Sequence, residues 1–365
     1  MNTNAIPIYK KKQHLGELAR YRREVLCSRP DLRFLFFELT IACNEHCRHC
    51  GSRCGDISAE SPLSLEEWKR VVDQVAEDFP QKPYLCITGG EPLLYPGLGE
   101  LMAYARDRGF HWGMTTNGTL ITRETVRLLE ETGMKTVSVS LDGLGETHEW
   151  FRQSPGSYEK TLEGIRLMQA SGAFQHVQVT TVVHARNYDQ LEDMYALLSA
   201  MGLRSWRVIN VEPIGRALDQ PELALTHDQL RGLISFIREK RFAGPMEVTY
   251  GCSHYLGLPL EREVRDWYFL CSAGIYTASV QYDGRIGACL DIERRSELIE
   301  GYIRTDRLSR VWQEGFLPYR TDFRKCGKCA DCRDYAYCRG DSFHTWNFDK
   351  MEPYLCLKEV LEEEG

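Results

Sequence analysis

The chain has 365 residues, with 45 Lys and Arg against 52 Asp and Glu, a formal net charge of −7. That length suits two domains, or one large barrel with an appendix. Its 43% apolar content supplies a core and excludes wholesale disorder. The mild acidity argues against nucleic acid as a partner, because phosphate affinity needs a basic face. No run approaches the ~18 apolar residues of a membrane span, and the opening MNTNAIPIYKKKQ lacks the apolar core of a secretion signal. The expectation is a cytoplasmic protein with no membrane partner.

In chain order, an N-terminal extension (1–30) carries Lys10, Lys11, Lys12, Arg20, Arg22 and Arg23, read as one side of a solvated helix. The apolar run FLFFELTI at 34–41 predicts a buried strand. Similar runs follow at Tyr84–Thr88, His111–Thr116, Thr136–Leu141, His176–Val183 and Ser205–Val211. Helical spacing of apolar residues fills 65–78, 98–108, 122–132, 158–171 and 188–201, with Ser64 and Thr122 as start signals. This alternation argues for an α/β fold with a parallel sheet. Six units are too few for a closed eight-stranded barrel and suit a partial (β/α)6 barrel of TIM type over 31–225, with chemistry at the C-terminal strand ends. A bridging helical region (226–265) contains a helix at 226–240. Residues 266–365 form a cysteine-rich domain with a hairpin, Ile275–Gln281 turning at Asp283-Gly284 into Arg285–Leu290. The tail from Cys326 to Cys356 lacks periodicity and needs metal to order it, and LKEVLEEEG ends as a fraying helix.

Fourteen cysteines in a chain without a secretion signal point to metal or iron–sulfur ligation rather than disulfides. Cys43, Cys47 and Cys50 make C-x3-C-x2-C on the loop after the first strand. Three thiolates from one loop leave one iron of a [4Fe–4S] cluster open to an exogenous chelator. A zinc site is the alternative on spacing alone, with Cys54 as a fourth ligand or a free thiol.

The motif CNEHCRHC in this place resembles the radical S-adenosylmethionine (SAM) enzymes, and the resemblance covers almost the whole chain. It extends to Gly89-Gly90-Glu91-Pro92 after strand two and Thr116-Asn117-Gly118 after strand three. Ser140-Leu141-Asp142-Gly143 ends strand four, and Asn210, Pro213, Gly215 and Arg216 (NVEPIGR) follow strand six. The resemblance implies that the Gly89-Gly90-Glu91 backbone meets the SAM amino group and that Asn117, Ser140 and Asp142 meet its ribose and carboxylate. Asn210 and Arg216 would lie at the adenine. It implies a [4Fe–4S] cluster whose open iron binds SAM, and reductive cleavage of SAM to methionine and a 5′-deoxyadenosyl radical. One small departure is His49, where Tyr or Phe is common.

Beyond residue 250 lie Cys252, Cys271, Cys289, Cys326, Cys329, Cys332, Cys338 and Cys356. The spacing resembles the SPASM extension, a C-terminal domain for auxiliary iron–sulfur clusters, and implies one or two auxiliary [4Fe–4S] clusters. One would use Cys329, Cys332, Cys338 and Cys356. The other would use Cys271 and Cys289, with Cys326 and Cys252 as candidates, since Ser342 stands where the pattern continues with Cys. Zinc at Cys326, Cys329, Cys332 and Cys338 is the bland alternative.

Cys86, in strand two, is a candidate hydrogen-atom donor or a small buried hydrophobe. Asp291 is a candidate proton acceptor or a solvated carboxylate. His184, Arg186 and Tyr188, or His148, Trp150 and Arg152, could touch substrate at the barrel mouth, with ordinary loop surface as the alternative. The function expected is modification of a peptide or protein substrate by crosslinking, thioether formation, epimerisation or side-chain oxidation. The alternative is a small-molecule reaction such as decarboxylation of a tetrapyrrole haem precursor. The implied partners are an external electron donor of flavodoxin or ferredoxin type and a separate leader-binding protein. About 30 residues before the first strand are too few for a folded leader-binding domain.

Overall fold

The structure, a computed structural model, describes residues 6–56 and 61–362. Helix α1 (Ile8–Tyr21) precedes the sheet, and β1 (Phe34–Glu38) leads through α2 (Leu65–Asp78) to β2 (Tyr84–Thr88). Then come α3 (Leu98–Asp107), β3 (Trp112–Thr116), α4 (Arg123–Glu131), β4 (Met134–Ser140), α5 (Glu146–Arg152) and α6 (Ser157–Ser171). Next are β5 (His176–Val183), α7 (Leu191–Ala200), β6 (Ser205–Asn210), α8 (His227–Lys240) and β7 (Glu247–Tyr250). Strands β1 to β7 lie side by side in chain order, all parallel.

The hairpin of the cysteine-rich region joins this same sheet. β8 (Thr277–Val280) pairs parallel with β1, and β9 (Arg285–Gly287) and β10 (Gly301–Tyr302) continue antiparallel outside it. The ten strands run β10-β9-β8-β1 through β7, so the barrel is open between β7 and β10. The stretch read as a helical bridge therefore also holds a strand, β7. Its four residues, EVTY, are too short a run to stand out by periodicity.

Alternation along the strands divides the molecule. Leu35, Phe37, Leu85, Ile87, Val137, Val139, Val179, Trp206 and Val208 are buried beneath the helices, with Phe37 against Trp68 of α2 at 4.8 Å between rings. The opposite face carries Cys86, Thr88, Ser138, Ser140, Gln178, Ser205 and Arg207 together with Phe36, Tyr84, Val182 and Ile209, all half-buried, and forms a lumen of mixed polarity. Helix starts follow the expected chemistry: Ser64 and Thr226 each cap with a reciprocal bond from Glu67 and Gln229, and Thr122 accepts from Thr125 N–H.

Two expectations change, and a third is met over the residues described. β1 stops at Glu38 rather than residue 41, because the chain turns away to begin the cysteine loop. The N-terminal basic stretch is not wholly solvated: Lys11 is 2% exposed, with its ammonium on Pro259 O and Glu263, and Arg22 is buried. The C-terminal helix spans Leu357–Glu362, and residues 363–365 of the expected helix lie outside the described residues.

Gly113 on β3 shows how tightly the lumen floor is made. Tyr84 Oη and Thr136 Oγ1 hydrogen-bond across it at 3.0 Å, and a Cβ there would lie 2.2 Å from Thr136 Oγ1. Gly113→Ala is expected to cost about 1–3 kcal/mol through overpacking, read as a lower urea midpoint than that of the parent.

Candidate active site

The loop from Leu39 to Asp56 presents Cys43, Cys47 and Cys50 at the C-terminal edge of the barrel, and it is held from three directions. From β2, Gly90 N–H donates to Thr40 O at 2.7 Å and Glu91 N–H to Ala42 O at 2.9 Å. A Cβ on Gly90 would sit 2.2 Å from Ala42 O, so the backbone approach requires glycine. From β6, the Arg216 guanidinium donates to Cys47 O at 2.8 Å and Cys54 O at 3.0 Å. The Arg216 N–H donates to Cys50 O at 3.1 Å, and Gly215 has φ +54°, where a Cβ would lie 2.2 Å from Cys50 O. From α5, Arg152 is buried between Asp142, at 2.5 Å, and Glu45, at 3.5 Å.

The sulfurs of Cys43, Cys47 and Cys50 each have an N–H donor. Glu45 N–H reaches Cys43 Sγ at 3.5 Å, Arg152 reaches Cys47 Sγ at 3.5 Å, and Cys54 N–H reaches Cys50 Sγ at 3.3 Å. Such donors suit thiolate ligands of a metal cluster. The Cys54 thiol also bonds to Cys50 and pulls it down to about 6, while burial pushes Cys43 up to about 11 and raises Cys47. Cys54, read as a spare, is buried and serves the third cysteine.

The residues expected at SAM mostly tie the loops together. The Glu91 carboxylate accepts from Thr116 Oγ1 at 2.9 Å, Asn117 N–H at 2.8 Å and Leu93 N–H at 3.2 Å; burial pushes it up to about 7. Asn117 Nδ2 donates to Asn44 Oδ1 at 2.9 Å, joining the β3 loop to the cysteine loop. Asp142 is fully buried on Arg152 and on Val182 N–H at 2.7 Å, and Arg152 holds it low against the opposing effect of burial. Asn210 accepts from Tyr250 Oη at 2.5 Å and donates to Glu212 at 2.9 Å. The side chains of Glu91, Asp142, Asn210 and Arg216 are thus committed within the protein. What faces the site is the backbone of Gly89 and Gly90 and the Ser140 hydroxyl, which has no protein partner among the described residues.

Glu212 continues inward. His254 lies fully buried between Glu212, at 2.8 Å, and Asp341, at 2.6 Å. Burial opposes its charge, yet the two facing carboxylates push it up to about 10. Asp341 N–H in turn donates to Cys338 Sγ at 3.1 Å, so a chain of buried bonds joins the loop after β6 to the cysteine tail.

The tail places its cysteines in two groups. Cys252, Cys271 and Cys289 act on one another electrostatically, with Asp291 beside them, its carboxylate 4.0 Å from Cys289 Sγ. Ser342, at the position where the resemblance expects Cys, donates to Cys252 O at 2.6 Å. Cys326 packs with Cys329 and Cys332. Cys338 and Cys356 feel each other's charge. Two buried arginines, Arg22, read from sequence as solvated, and Arg324, not singled out there, interact electrostatically with Cys271.

His148, Arg152 and His184 do not line an open mouth. All three are buried, with His49, Phe151 and His184 stacked at 4.4 and 4.0 Å behind the cysteine loop. Cys86 faces the lumen, and burial pushes its thiol up to about 12. Arg152, Glu45 and Arg207 carry functional geometry that spacing alone did not reveal.

A family model for the radical SAM superfamily matches residues 37–198, and one for an iron–sulfur cluster-binding domain, SPASM, matches 271–333. The mycofactocin maturase MftC of Mycobacterium tuberculosis is 30% identical over 311 residues, covering 84% of this chain and 77% of that protein. The chain belongs to the radical SAM superfamily. Another relative is the AdoMet-dependent heme synthase of Oleidesulfovibrio alaskensis, 27% identical over 330 residues, covering 85% of this chain and 82% of that protein. The solved structure of Streptococcus suis SuiB bound to S-adenosylmethionine shares the fold, with a TM-score of 0.73 at 16% identity over 99% of this chain and 84% of that chain. This radical SAM/SPASM protein is therefore an enzyme that uses SAM and [4Fe–4S] chemistry. Among the described residues, no helix is long and apolar enough to cross a membrane.

Two outcomes follow. Arg216→Gln removes the clamp on Cys47 O and Cys54 O and is expected to lose about four irons per chain after reconstitution, one cluster's worth, as read by iron assay. His148 and His184 are held down to about 4 by burial, below the ordinary 6.5. The unfolded chain therefore binds protons first, and stability present above pH 6.5 is lost as pH falls toward 4. Each histidine is expected to remove about 2 kcal/mol by pH 5. Urea titrations at pH 7.5 and 5 check this, and His184→Phe should flatten the dependence.

Proposed function

We propose that this enzyme modifies a peptide substrate by abstracting hydrogen from carbon in the barrel lumen. The observation that carries this reading is the lumen itself: the hydroxyls, one amide and one arginine of β4 to β6 stand beside Phe36, Tyr84, Val182 and Ile209, a mixed lining suited to a peptide's polar backbone and side chains. The likeness to a maturase at 30% identity supports it. The haem-precursor alternative rests on heme synthases at similar identity, whose matches cover more of their length.

The cluster would be held by Cys43, Cys47 and Cys50, with SAM at the backbone of Gly89 and Gly90 and at Ser140. When bound, the cluster and SAM would supply a 5′-deoxyadenosyl radical at the cost of one electron from an external donor. Around them, Arg216 and Arg152 fix the loop, and the Glu91 and Asn117 bonds fix the walls. Cys252, Cys271 and Cys289 would hold one auxiliary cluster, with one iron not served by cysteine, and Asp291 beside them would take a substrate proton. Cys329, Cys332, Cys338 and Cys356 would hold the other. Cys86, a thiol at neutral pH, would return a hydrogen atom to the substrate radical where the outcome is epimerisation, itself becoming a thiyl radical; Asp291 would act only where the outcome is an oxidation, the electron passing to a cluster. A flavodoxin- or ferredoxin-type donor would reduce the clusters, and a separate protein would present any leader.

Reconstituted protein is expected to hold about twelve irons and to release 5′-deoxyadenosine from SAM with dithionite, whereas Cys43→Ala releases none. Co-expression with short open reading frames encoded beside the gene should yield a peptide of altered mass by mass spectrometry. An unmodified peptide set together with turnover of a porphyrin would give the haem reading instead.

A further inference from the structure

The inner face of β6 carries a cation that the protein does not neutralise. Alternation turns Trp206 and Val208 to the helices, so Arg207 between them projects into the lumen. Its Nε donates to Thr180 Oγ1 of neighbouring β5 at 3.2 Å, and it has no ion-pair partner among the described residues. The inner-face carboxylates near either end of the strands are already matched, Glu38 by Arg294 and Glu247 by Arg241. Around Arg207 stand neutral groups that satisfy one another, Ser138 with Thr180 at 2.7 Å and Gln178 with Ser205 at 2.9 Å. Its charge reaches Cys86 on β2, across the lumen, and Cys252 above β7. In register it lies beside Thr180, which lies beside Ser140 at the end of β4.

A guanidinium pinned at Nε to a neutral hydroxyl keeps its two terminal nitrogens for a planar anion, the geometry that a carboxylate meets with two parallel bonds. We infer that Arg207 anchors a carboxylate of the substrate in the lumen, between the SAM-cluster loop and Cys252. This deepens the proposed function by naming a chemical feature of its substrate. A peptide's carboxylate and a porphyrin's propionate offer the same chemistry, and SAM carries a carboxylate of its own.

The test uses reconstituted holoenzyme as parent, Arg207→Gln and Arg207→Lys. Two probe pairs are compared: coproporphyrin III with its tetramethyl ester, by visible absorbance, and a random hexapeptide library without Asp or Glu as free acids or C-terminal amides, by affinity-selection mass spectrometry. SAM affinity is measured alongside by equilibrium dialysis. The parent is expected to prefer the acid of one pair by about tenfold or more; Arg207→Gln loses that preference and Arg207→Lys keeps part of it. The dissociation constant for SAM is expected to move by less than about twofold in either variant. Equal binding of acids and capped forms by the parent, or a preference that survives Arg207→Gln, would overturn the inference. So would a loss confined to SAM, which would assign Arg207 to the cofactor. A preference for the porphyrin acid alone would keep Arg207 and overturn the peptide reading.

Discussion

Everything in this enzyme depends on holding one irregular loop still. A loop carrying three cysteines at the edge of an open barrel has no helix or ladder of its own to satisfy its carbonyls. The protein supplies what is missing from outside: glycine backbone from β2, Arg216 and Gly215 from β6, and Arg152 from α5. These three grips come from strands and a helix far apart in sequence, so the loop reports the correct assembly of the whole barrel. Burying Arg152 with Asp142 and Glu45 is costly in isolation, and it is compensated only because both charges and a sulfur meet there.

The same logic extends to the cysteine-rich region, which is built into the barrel rather than hung from it. β8 pairs with β1, the strand that leads into the cysteine loop. The Glu212–His254–Asp341 bridge links the segment after β6 to the Cys338 loop. The two cysteine regions thus belong to one continuous framework. The arginines Arg22 and Arg324 place buried positive charge at Cys271, where an anionic cluster would offset it.

Much of this was legible in the chain. The six strand–helix units were plain because their apolar runs and caps agree with each other, as at Ser64 and Thr122. C-x3-C-x2-C and the glycine and acidic segments after successive strands named the chemistry. The roles of those segments were less visible. Asp142 and Arg216 read as SAM contacts, and their side chains tie neighbouring loops together, which sequence order does not reveal because it does not say which way a side chain points. Arg152 lay in a stretch read as mouth surface, and it is buried. β7 was lost because four residues carry too little periodicity to be heard.

The central claim is that three fixed cysteines leave one iron open, and that SAM occupies it through its amino and carboxylate groups. Electron–nuclear double resonance on the reduced protein tests this, with SAM carrying 15N in the amino group and 17O in the carboxylate. The account predicts hyperfine coupling of both labels to the reduced cluster in the parent and none in Cys43→Ala. A parent spectrum in which a reduced cluster forms, SAM is bound and neither label couples would contradict it.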